Sequence, residues 1–256
     1  MSNSKETREL VNEIALVTGA AQGIGAAIAR KFASQGARVA LADIQLEKAQ
    51  AVAAEIRAAG GMAQAYAVDI SQPENLMSLR EQIHAAFGPV SILVNNAAQI
   101  SFQNFLDISW DDWNNTIATN LSGTFYCSRI FLDDMLELKR GNIIILSSVN
   151  GLRAQVGLSA YNVTKAALIM LTQTMALEMA NHNIRVNAIA PGDIATQAAE
   201  NVEDEGEALA NIPLHRWGQP EEIAETALFL AGARSSYTTG SIINCDGGLT
   251  AQLYPS

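Results

Sequence analysis

Apolar and polar positions along this chain follow two alternating patterns. Short runs rich in Val, Ile and Leu alternate with longer Ala-rich segments in which apolar residues recur at helical spacing. The short runs predict strands and the longer segments predict helices. The predicted strands cover 14–18, 38–43, 63–68, 91–95, 142–147, 184–190 and 241–245. The predicted helices cover 23–35, 46–59, 73–87, 110–138, 160–181 and 220–231.

The order of these elements predicts an α/β fold. Helices separate the successive strands, and repeated βαβ units form a parallel sheet. We therefore expect a doubly wound, seven-stranded parallel sheet with helices on both faces, formed by one domain over 1–256. The connections are short except at 192–219, which is long enough to form a mobile lid over a site. Residues 1–12 are predicted to be a polar tail.

Composition and charge favour a globular protein that binds a small molecule. Apolar residues make up 49% of the chain and charged residues 16%, which suits a packed interior. The formal net charge of −10, with no run of Lys or Arg, argues against nucleic acid and anionic membranes as partners. The polar start lacks the apolar stretch of a secretory signal, and no run of about 18 apolar residues occurs. We therefore expect a cytoplasmic protein.

The cysteines and histidines give no sign of a metal site. Cys127 and Cys245 lack metal-ligand spacing and are predicted to be buried thiols in a reducing compartment. The three histidines are scattered along the chain. No metal is predicted.

A glycine-rich turn directly follows the first predicted strand. It has the sequence TGAAQGIG at 18–25 and leads into the next predicted helix. Its glycines allow a tight turn and the close approach of a pyrophosphate, whose charge is attracted by the N-terminus of the helix. The motif predicts a dinucleotide site. The expected contacts are Gly19, Gln22, Gly23, Ile24 and Gly25.

Two carboxylates lie at the ends of the next two predicted strands. Asp43 is about 20 residues beyond the glycines, where a carboxylate binds the adenosine ribose diol and repels a 2′-phosphate. Neither Gln22 nor Ile44 supplies a positive charge for that phosphate, so the sequence predicts NAD rather than NADP. Asp69 is a candidate contact for the adenine amine, and capping of the helix that begins at Pro73 is an equally supported role.

Tyr161 and Lys165 are the candidate proton-transfer pair. They are four residues apart on a predicted helix, so their side chains share one face. A nearby ammonium lowers the pKa of a phenol from ~10 and makes it a better base. Ser148 is expected at the carboxyl end of the fifth strand, where its hydroxyl can hold a substrate oxygen. Ser147 is the alternative, because alternation along a strand directs only one of the two into the site.

Together these motifs resemble the short-chain dehydrogenase/reductase family, from Ile14 to about Leu249. The pattern Thr-Gly-x-x-x-Gly-x-Gly lies at 18–25 and Tyr-x-x-x-Lys at 161–165, and the family's spacing between its catalytic Ser and Tyr selects Ser148. The resemblance implies a Rossmann fold and hydride transfer between NAD and a secondary alcohol or ketone, with Tyr161 as acid/base. It also implies a homotetramer with 220–231 and 241–245 at its interface.

The resemblance implies further roles one residue at a time. Asn120 matches an asparagine that opens a helical turn and holds a water leading to Lys165, and Lys165 also binds the nicotinamide ribose. Asn95 and Ala97 belong to a segment similar to Asn-Asn-Ala-Gly that lies along the cofactor, with Ala98 in place of glycine. The segment that holds the nicotinamide carboxamide adds Pro191, Gly192, Ile194 and Thr196.

Three amides are candidate substrate contacts, namely Gln99, Asn150 and Gln155. They predict a polar substrate of the polyol, sugar or cyclic alcohol class. One alternative is an NADPH-dependent reductase of 3-oxoacyl thioesters. Asp43 opposes its cofactor, and the acidic pair Asp133-Asp134 is expected to repel an acidic carrier protein. The other alternative is a non-catalytic dinucleotide-binding scaffold, which the presence of all four catalytic residues opposes.

Overall fold

Seven parallel strands form one sheet in the computed structural model of the chain, which describes residues 8–196 and 209–252. The strand order is β3-β2-β1-β4-β5-β6-β7. The strands are β1 Ile14–Thr18, β2 Arg38–Asp43, β3 Met62–Ala67, β4 Ile92–Asn95, β5 Gly141–Leu146, β6 Ile184–Pro191 and β7 Ile242–Cys245. The order reverses between β1 and β4, and ligands of such sheets bind in the crevice outside the carboxyl ends at that point.

Helices cover both faces of the sheet. They are α1 Gly23–Ser34, α2 Leu46–Ala58, α3 Pro73–Ala86, α4 Trp110–Thr116, α5 Thr124–Leu138, α6 Ser159–Met179 and α7 Pro220–Ala231. One apolar cluster joins the sheet to α1, α2 and α7. A second joins the opposite face to α3, α5 and α6. Burial on both faces explains why the strands are almost continuous apolar runs, and the predicted doubly wound fold is confirmed.

The predicted long helix over 110–138 is interrupted by a π-helical segment, Ile117–Gly123, between α4 and α5. The Thr124 hydroxyl donates to the Asn120 carbonyl at 2.8 Å within this wider turn. The helix begins at Trp110, as predicted. Ser109 caps it by accepting the Asp112 backbone N–H at 3.0 Å, and the Asp112 carboxylate accepts from the Ser109 hydroxyl at 2.6 Å.

The acidic pair on α5 does not form the expected repulsive surface. Asp134 is fully buried. Its carboxylate binds Arg80 Nε at 2.5 Å and His84 Nε2 at 2.8 Å, both on α3. Asp133 is exposed but pairs with Arg129 at 2.9 Å, one helical turn away. The structure therefore removes the argument that this pair would repel an acidic carrier protein.

The predicted lid is described only in part. Residues 197–208 of the lid and 1–7 of the predicted tail lie outside the described residues. The flanks of the lid are joined, because Ala195 N donates to Gly218 O at 2.8 Å and Gly218 N donates to Asp193 O at 3.0 Å. This short parallel bridge fixes both ends of the segment beside the carboxyl edge of β6.

Two other sequence-based expectations concern burial. Cys127 is buried as predicted, whereas Cys245 is only partly buried and lies 3.2 Å from the Thr226 hydroxyl. Within the described part of the chain, none of the helices combines the length and apolar character needed to span a bilayer.

Candidate active site

The glycine-rich turn between β1 and α1 has the close contacts that its sequence predicts. Gly19 has a φ of +64°, and a Cβ there would lie 2.7 Å from Ala97 Cα. A Cβ at Gly25 would lie 2.2 Å from the Gly19 carbonyl oxygen. Both positions therefore require glycine. Gly19 and Gly23 line the adjacent cleft, whereas Gly25 packs α1 against the turn and is not among the lining residues.

A cleft of about 650 Å³ lies at the carboxyl ends of the strands next to this turn. It is lined by most of the predicted cofactor contacts, namely Gly19, Gln22, Gly23, Ile24, Asp43, Asp69, Ala97 and Thr196. The close packing leaves backbone rather than side chains at the N-terminus of α1, which suits a pyrophosphate. The residues present therefore fit a dinucleotide.

Asp43 is held rigidly at the end of β2. One carboxylate oxygen accepts the backbone N–H of Ala21 at 2.9 Å, and the other accepts that of Gln45 at 2.9 Å. The buried carboxylate thus links β2 to the glycine-rich turn and still lines the cleft. Such an anion, fixed beside the cleft, suits a ribose diol.

Asp69 does not cap α3. The N-cap position is Gln72, which makes no side-chain capping bond. Asp69 instead accepts the backbone N–H and the hydroxyl of Ser71 at 2.9 and 2.7 Å, and so closes its own turn on the wall of the cleft. The capping alternative is therefore wrong, and the adenine contact stays a prediction.

The two asparagines after β4 have roles that the sequence did not separate. Asn95 is buried and donates to the Ser128 hydroxyl at 3.0 Å, so it supports the sheet and does not line the cleft. Asn96 donates to the carbonyls of Thr18 and Gly19 at 3.0 and 2.9 Å and does line the cleft. The resemblance included Asn96 in the segment along the cofactor but did not name it as a contact. Strand alternation, which turns successive side chains in opposite directions, distinguishes it from Asn95.

Tyr161, Lys165 and Ser148 come together in one pocket. The Ser148 and Tyr161 side chains both line it, together with Lys165. Lys165 Nζ lies 5.3 Å from the centre of the Tyr161 ring and donates to the Leu146 carbonyl at 2.7 Å. The Ser147 hydroxyl donates to the Lys165 carbonyl at 2.8 Å. The structure thus brings Ser148 to Tyr161 and gives Ser147 a supporting bond to α6.

The proton affinities of this pair differ from the sequence-based expectation. Burial raises the pKa of the Tyr161 phenol above its usual value, and the neighbouring Ser148 side chain opposes this rise only in part. Burial also lowers the pKa of the Lys165 ammonium to about 8. The expected lowering of the Tyr161 pKa by Lys165 is therefore not the dominant effect, because both groups lose water on entering the same pocket.

Asn120 is buried in the π-helical segment and binds the loop that follows β4. Its amide oxygen accepts the backbone N–H of Gln99 at 2.7 Å, and its Nδ2 donates to the Gln99 carbonyl at 2.9 Å. Nδ2 also lies 3.3 Å from the hydroxyl of Thr164, the residue before Lys165. The Gln99 residue lines the cofactor cleft rather than the catalytic pocket, so its predicted substrate contact is not supported.

The catalytic pocket has a volume of about 450 Å³ and opens directly into the cofactor cleft. The two share the lining residues Ile24, Asn96, Ala98 and Thr196. Pro191, Gly192 and Ile194 also line the pocket, and their contact with the nicotinamide stays a prediction.

Apolar side chains form much of the remaining wall. They are Ile100, Phe102, Val149, Leu158 and Trp217. The two predicted amide contacts also line the pocket, but Asn150 Nδ2 donates to Gln155 Oε1 at 3.1 Å, so the amides bind each other. Ile100 and Phe102 were not predicted as part of the site. Large apolar residues in a loop at the carboxyl edge were the available signal.

These features define an oxidoreductase that uses a nicotinamide dinucleotide. A family model described as Enoyl-(Acyl carrier protein) reductase matches residues 19–250. The chain belongs to the short-chain dehydrogenase/reductase family, as the resemblance predicts.

Individual relatives agree with this assignment. The chain is 37% identical over 242 residues to a 3-oxoacyl-[acyl-carrier-protein] reductase from Thermotoga maritima, covering 94% of this chain and 98% of the relative. A short-chain type dehydrogenase/reductase from Mycobacterium marinum matches with a TM-score of 0.92 and 37% identity, over 96% of this chain and 99% of the other. A candidate NAD(P) dependent gluconate 5-dehydrogenase from Beutenbergia cavernae, with NADP bound at low occupancy, matches with a TM-score of 0.91 and 35% identity, over 96% and 100%.

Proposed function

We propose that this protein reduces a ketone flanked by an apolar chain, of the 3-oxoacyl thioester class, to a secondary alcohol. The observation that carries the proposal is that Ser148, Tyr161 and Lys165 lie together in one pocket that opens into the dinucleotide cleft. A nicotinamide dinucleotide held in that cleft would supply the hydride for reduction, or accept it in the reverse reaction.

Ser148 and Tyr161 hold the substrate oxygen between them in the proposed mechanism. Because burial raises the pKa of Tyr161, its phenol keeps a proton at neutral pH and can donate it to the carbonyl oxygen as the alcohol forms. The ammonium of Lys165 then stabilises the phenolate. Asn120 holds the loop at Gln99 through two hydrogen bonds. We also propose that protons return to Tyr161 through Lys165. A phenol that holds its proton favours the reductive direction.

The substrate class rests on the pocket wall and on the relatives. Ile100, Phe102 and Trp217 offer apolar surface next to the reacting groups, which suits an acyl chain. Asp134 no longer argues against an acyl carrier, because its charge is buried in ion pairs. The relative from Thermotoga maritima carries the name of such a reductase.

The second candidate is the polyol or sugar class predicted from the amides. The gluconate 5-dehydrogenase likeness favours it, but the bond between Asn150 and Gln155 leaves these amides less free to bind hydroxyls. A panel of short 3-oxoacyl thioesters, gluconate and plain polyols would separate the two. We expect the thioesters to have the highest kcat/KM, and a preference for gluconate or polyols would reject the proposed class.

The preferred cofactor in this proposal is NAD(H). Asp43 supports it, because its fixed carboxylate binds a ribose diol and repels a 2′-phosphate. The NADP in the Beutenbergia cavernae relative favours the other cofactor. We also propose that the protein is a homotetramer, that it lies in the cytoplasm and that its substrate is a small molecule.

The central test is the replacement Tyr161→Phe. Loss of a positioned general acid lowers the rate by roughly 10²- to 10⁴-fold, so turnover should fall by at least about a hundredfold while dinucleotide affinity is kept. Tyr237→Phe is the matched control, because that side chain is fully exposed. Full activity in Tyr161→Phe would refute the mechanism. Dinucleotide binding without turnover of any panel member by the unmodified protein would instead favour the non-catalytic scaffold.

A further inference from the structure

Asp43, the glycine-rich turn and the start of α2 meet at the adenosine end of the cleft. An Asp43 carboxylate oxygen accepts the backbone N–H of Ala21 at 2.9 Å. The next residue, Gln22, has an exposed side chain whose Oε1 accepts from Lys48 Nζ at 3.3 Å. A cation is thus tethered to the turn that Asp43 itself contacts.

Lys48 is not explained by the stability of its own helix. It lies in the first turn of α2, where the positive end of the helix dipole disfavours a cation. Glu47 beside it has the charge that this position favours. Among the residues that the structure describes, Lys48 forms no ion pair with a carboxylate, and its bond to Gln22 keeps the ammonium at the edge of the cleft.

Arg30, the cation near Lys48, is already paired with a carboxylate. Arg30 and Lys48 line a second cleft of about 600 Å³, which shares Gln22 and Gly23 with the cofactor cleft. Arg30 binds Glu55 through Nε and Nη2 at 3.0 and 2.7 Å. Lys48 therefore remains as the cation available to an anionic group placed near Gln22.

We infer that Lys48 broadens cofactor specificity by binding the 2′-phosphate of NADP(H), so that the chain prefers NAD(H) but also uses NADP(H). The 2′-substituent of the ribose lies next to the carboxylate that binds the diol. Asp43 repels a phosphate there. The flexible stem of Lys48 allows its ammonium to turn from Gln22 to the phosphate and offset part of that repulsion. The sequence-based expectation considered only Gln22 and Ile44, and missed the cation that Gln22 holds.

This inference rests on the proposed dinucleotide site and has a test that needs no turnover. Isothermal titration of the full-length protein would measure Kd values for NAD, NADP, 5′-AMP and 2′,5′-ADP. The unmodified protein should bind 2′,5′-ADP measurably. Lys48→Gln should weaken NADP and 2′,5′-ADP by about tenfold, the order expected for one charged hydrogen bond, and change NAD and 5′-AMP by less than about twofold.

Arg30→Gln is the matched control, because it removes a cation that lines the same cleft but is paired with Glu55. It should change the NADP affinity by less than about twofold. Equal weakening of NAD and NADP by Lys48→Gln, or no change in either, would overturn the role of Lys48. Failure of the unmodified protein to bind either dinucleotide would instead reject the proposed site itself.

Discussion

Tyr161 and Lys165 occupy one buried pocket, and burial changes their pKa values in opposite directions. The phenol is neutral when protonated, so loss of water raises its pKa, whereas the ammonium is charged when protonated and its pKa falls to about 8. At neutral pH the pair therefore holds both protons. This is the state that can give a proton to a carbonyl oxygen.

The lowered pKa of Lys165 predicts how stability depends on pH. Between pH about 8 and 10 the unfolded chain binds the Lys165 proton more strongly than the folded chain does, so the free energy of unfolding rises with pH. From pH 7.5 to 9.5 the unmodified protein should gain about 2 kcal/mol relative to Lys165→Met. Urea unfolding at the two pH values measures this. Above pH about 10 the raised pKa of Tyr161 acts with the opposite sign.

The same comparison contains its own check. If Lys165→Met shows the same rise between these two pH values as the unmodified protein, other groups cause it. The lowered pKa of Lys165 would then be rejected as the cause of the rise.

Gly25 offers a second prediction at this scale. Gly25→Ala places a Cβ 2.2 Å from a backbone oxygen, which a rotamer change cannot relieve. We expect a loss of roughly 3 kcal/mol of stability or more, together with weaker dinucleotide binding, because the turn must move. The control is Gly60→Ala, which has a φ of +84° but no atom within 4 Å of the new Cβ. It should cost about 1 kcal/mol, the cost of the left-handed backbone alone.

Thermal or urea unfolding of the two glycine variants gives the result. If both variants lose the same free energy of unfolding, the contact between Gly25 and the turn is not the reason that position 25 requires glycine.

At the scale of elements, Asp134 joins three parts of the fold. Its buried carboxylate accepts from Arg80 and His84 of α3 and from the Val90 backbone N–H at 2.8 Å, at the approach to β4. Asp134→Asn removes the charge but keeps the shape, and should lower the free energy of unfolding by about 2 kcal/mol. Asp133→Asn removes only an exposed pair with Arg129 and should cost less than about 0.5 kcal/mol.

Urea unfolding of both variants at one pH tests this contrast between neighbouring residues. A loss as small in Asp134→Asn as in Asp133→Asn would show that the buried network is not a source of stability.

The sequence predicts the fold well because buried parallel strands are short apolar runs with little variation. β1 and β2 coincide with the predicted strands, and the others differ by one residue at one or both ends. Periodicity did not locate the π-helical segment, because apolar spacing does not register one wide turn, whereas the family resemblance had matched Asn120 to an asparagine that opens a helical turn. The burial of Asp134 was also hidden, since two adjacent aspartates on a helix have the same pattern whichever one faces inward.

The candidate site was also predicted only in part. Spacing along one helix brought Tyr161 and Lys165 together correctly, and strand position brought Ser148 to them. The partner of Lys48 was not foreseen, because Gln22 is 26 residues away and the contact depends on how α2 packs. The predicted shift of the Tyr161 pKa had the wrong sign, because the sequence shows the charge of Lys165 but not the loss of water around the phenol.

At the scale of the whole molecule, two surfaces bear on assembly. Among the residues that the structure describes, β7 pairs with β6 alone and so forms an edge of the sheet. The family resemblance expects this strand and α7 at a tetramer interface. The second surface is a stripe on α6, where Val163, Met170 and Leu177 recur every seven residues and are between 48% and 81% exposed.

Seven-residue spacing places these three side chains on one face of the helix, and an apolar stripe of this kind is typical of a surface that another protein covers. If α6 and the β7 edge are separate interfaces, the protein should have four times the 27.3 kDa chain mass by light scattering. Met170→Glu should then give a particle of half that mass, since the β7 interface remains. Gln82→Glu, which adds the same charge to an exposed position on α3, should leave the mass unchanged. A monomer in the unmodified protein would reject both interfaces, and an intact tetramer in Met170→Glu would reject the role of the stripe.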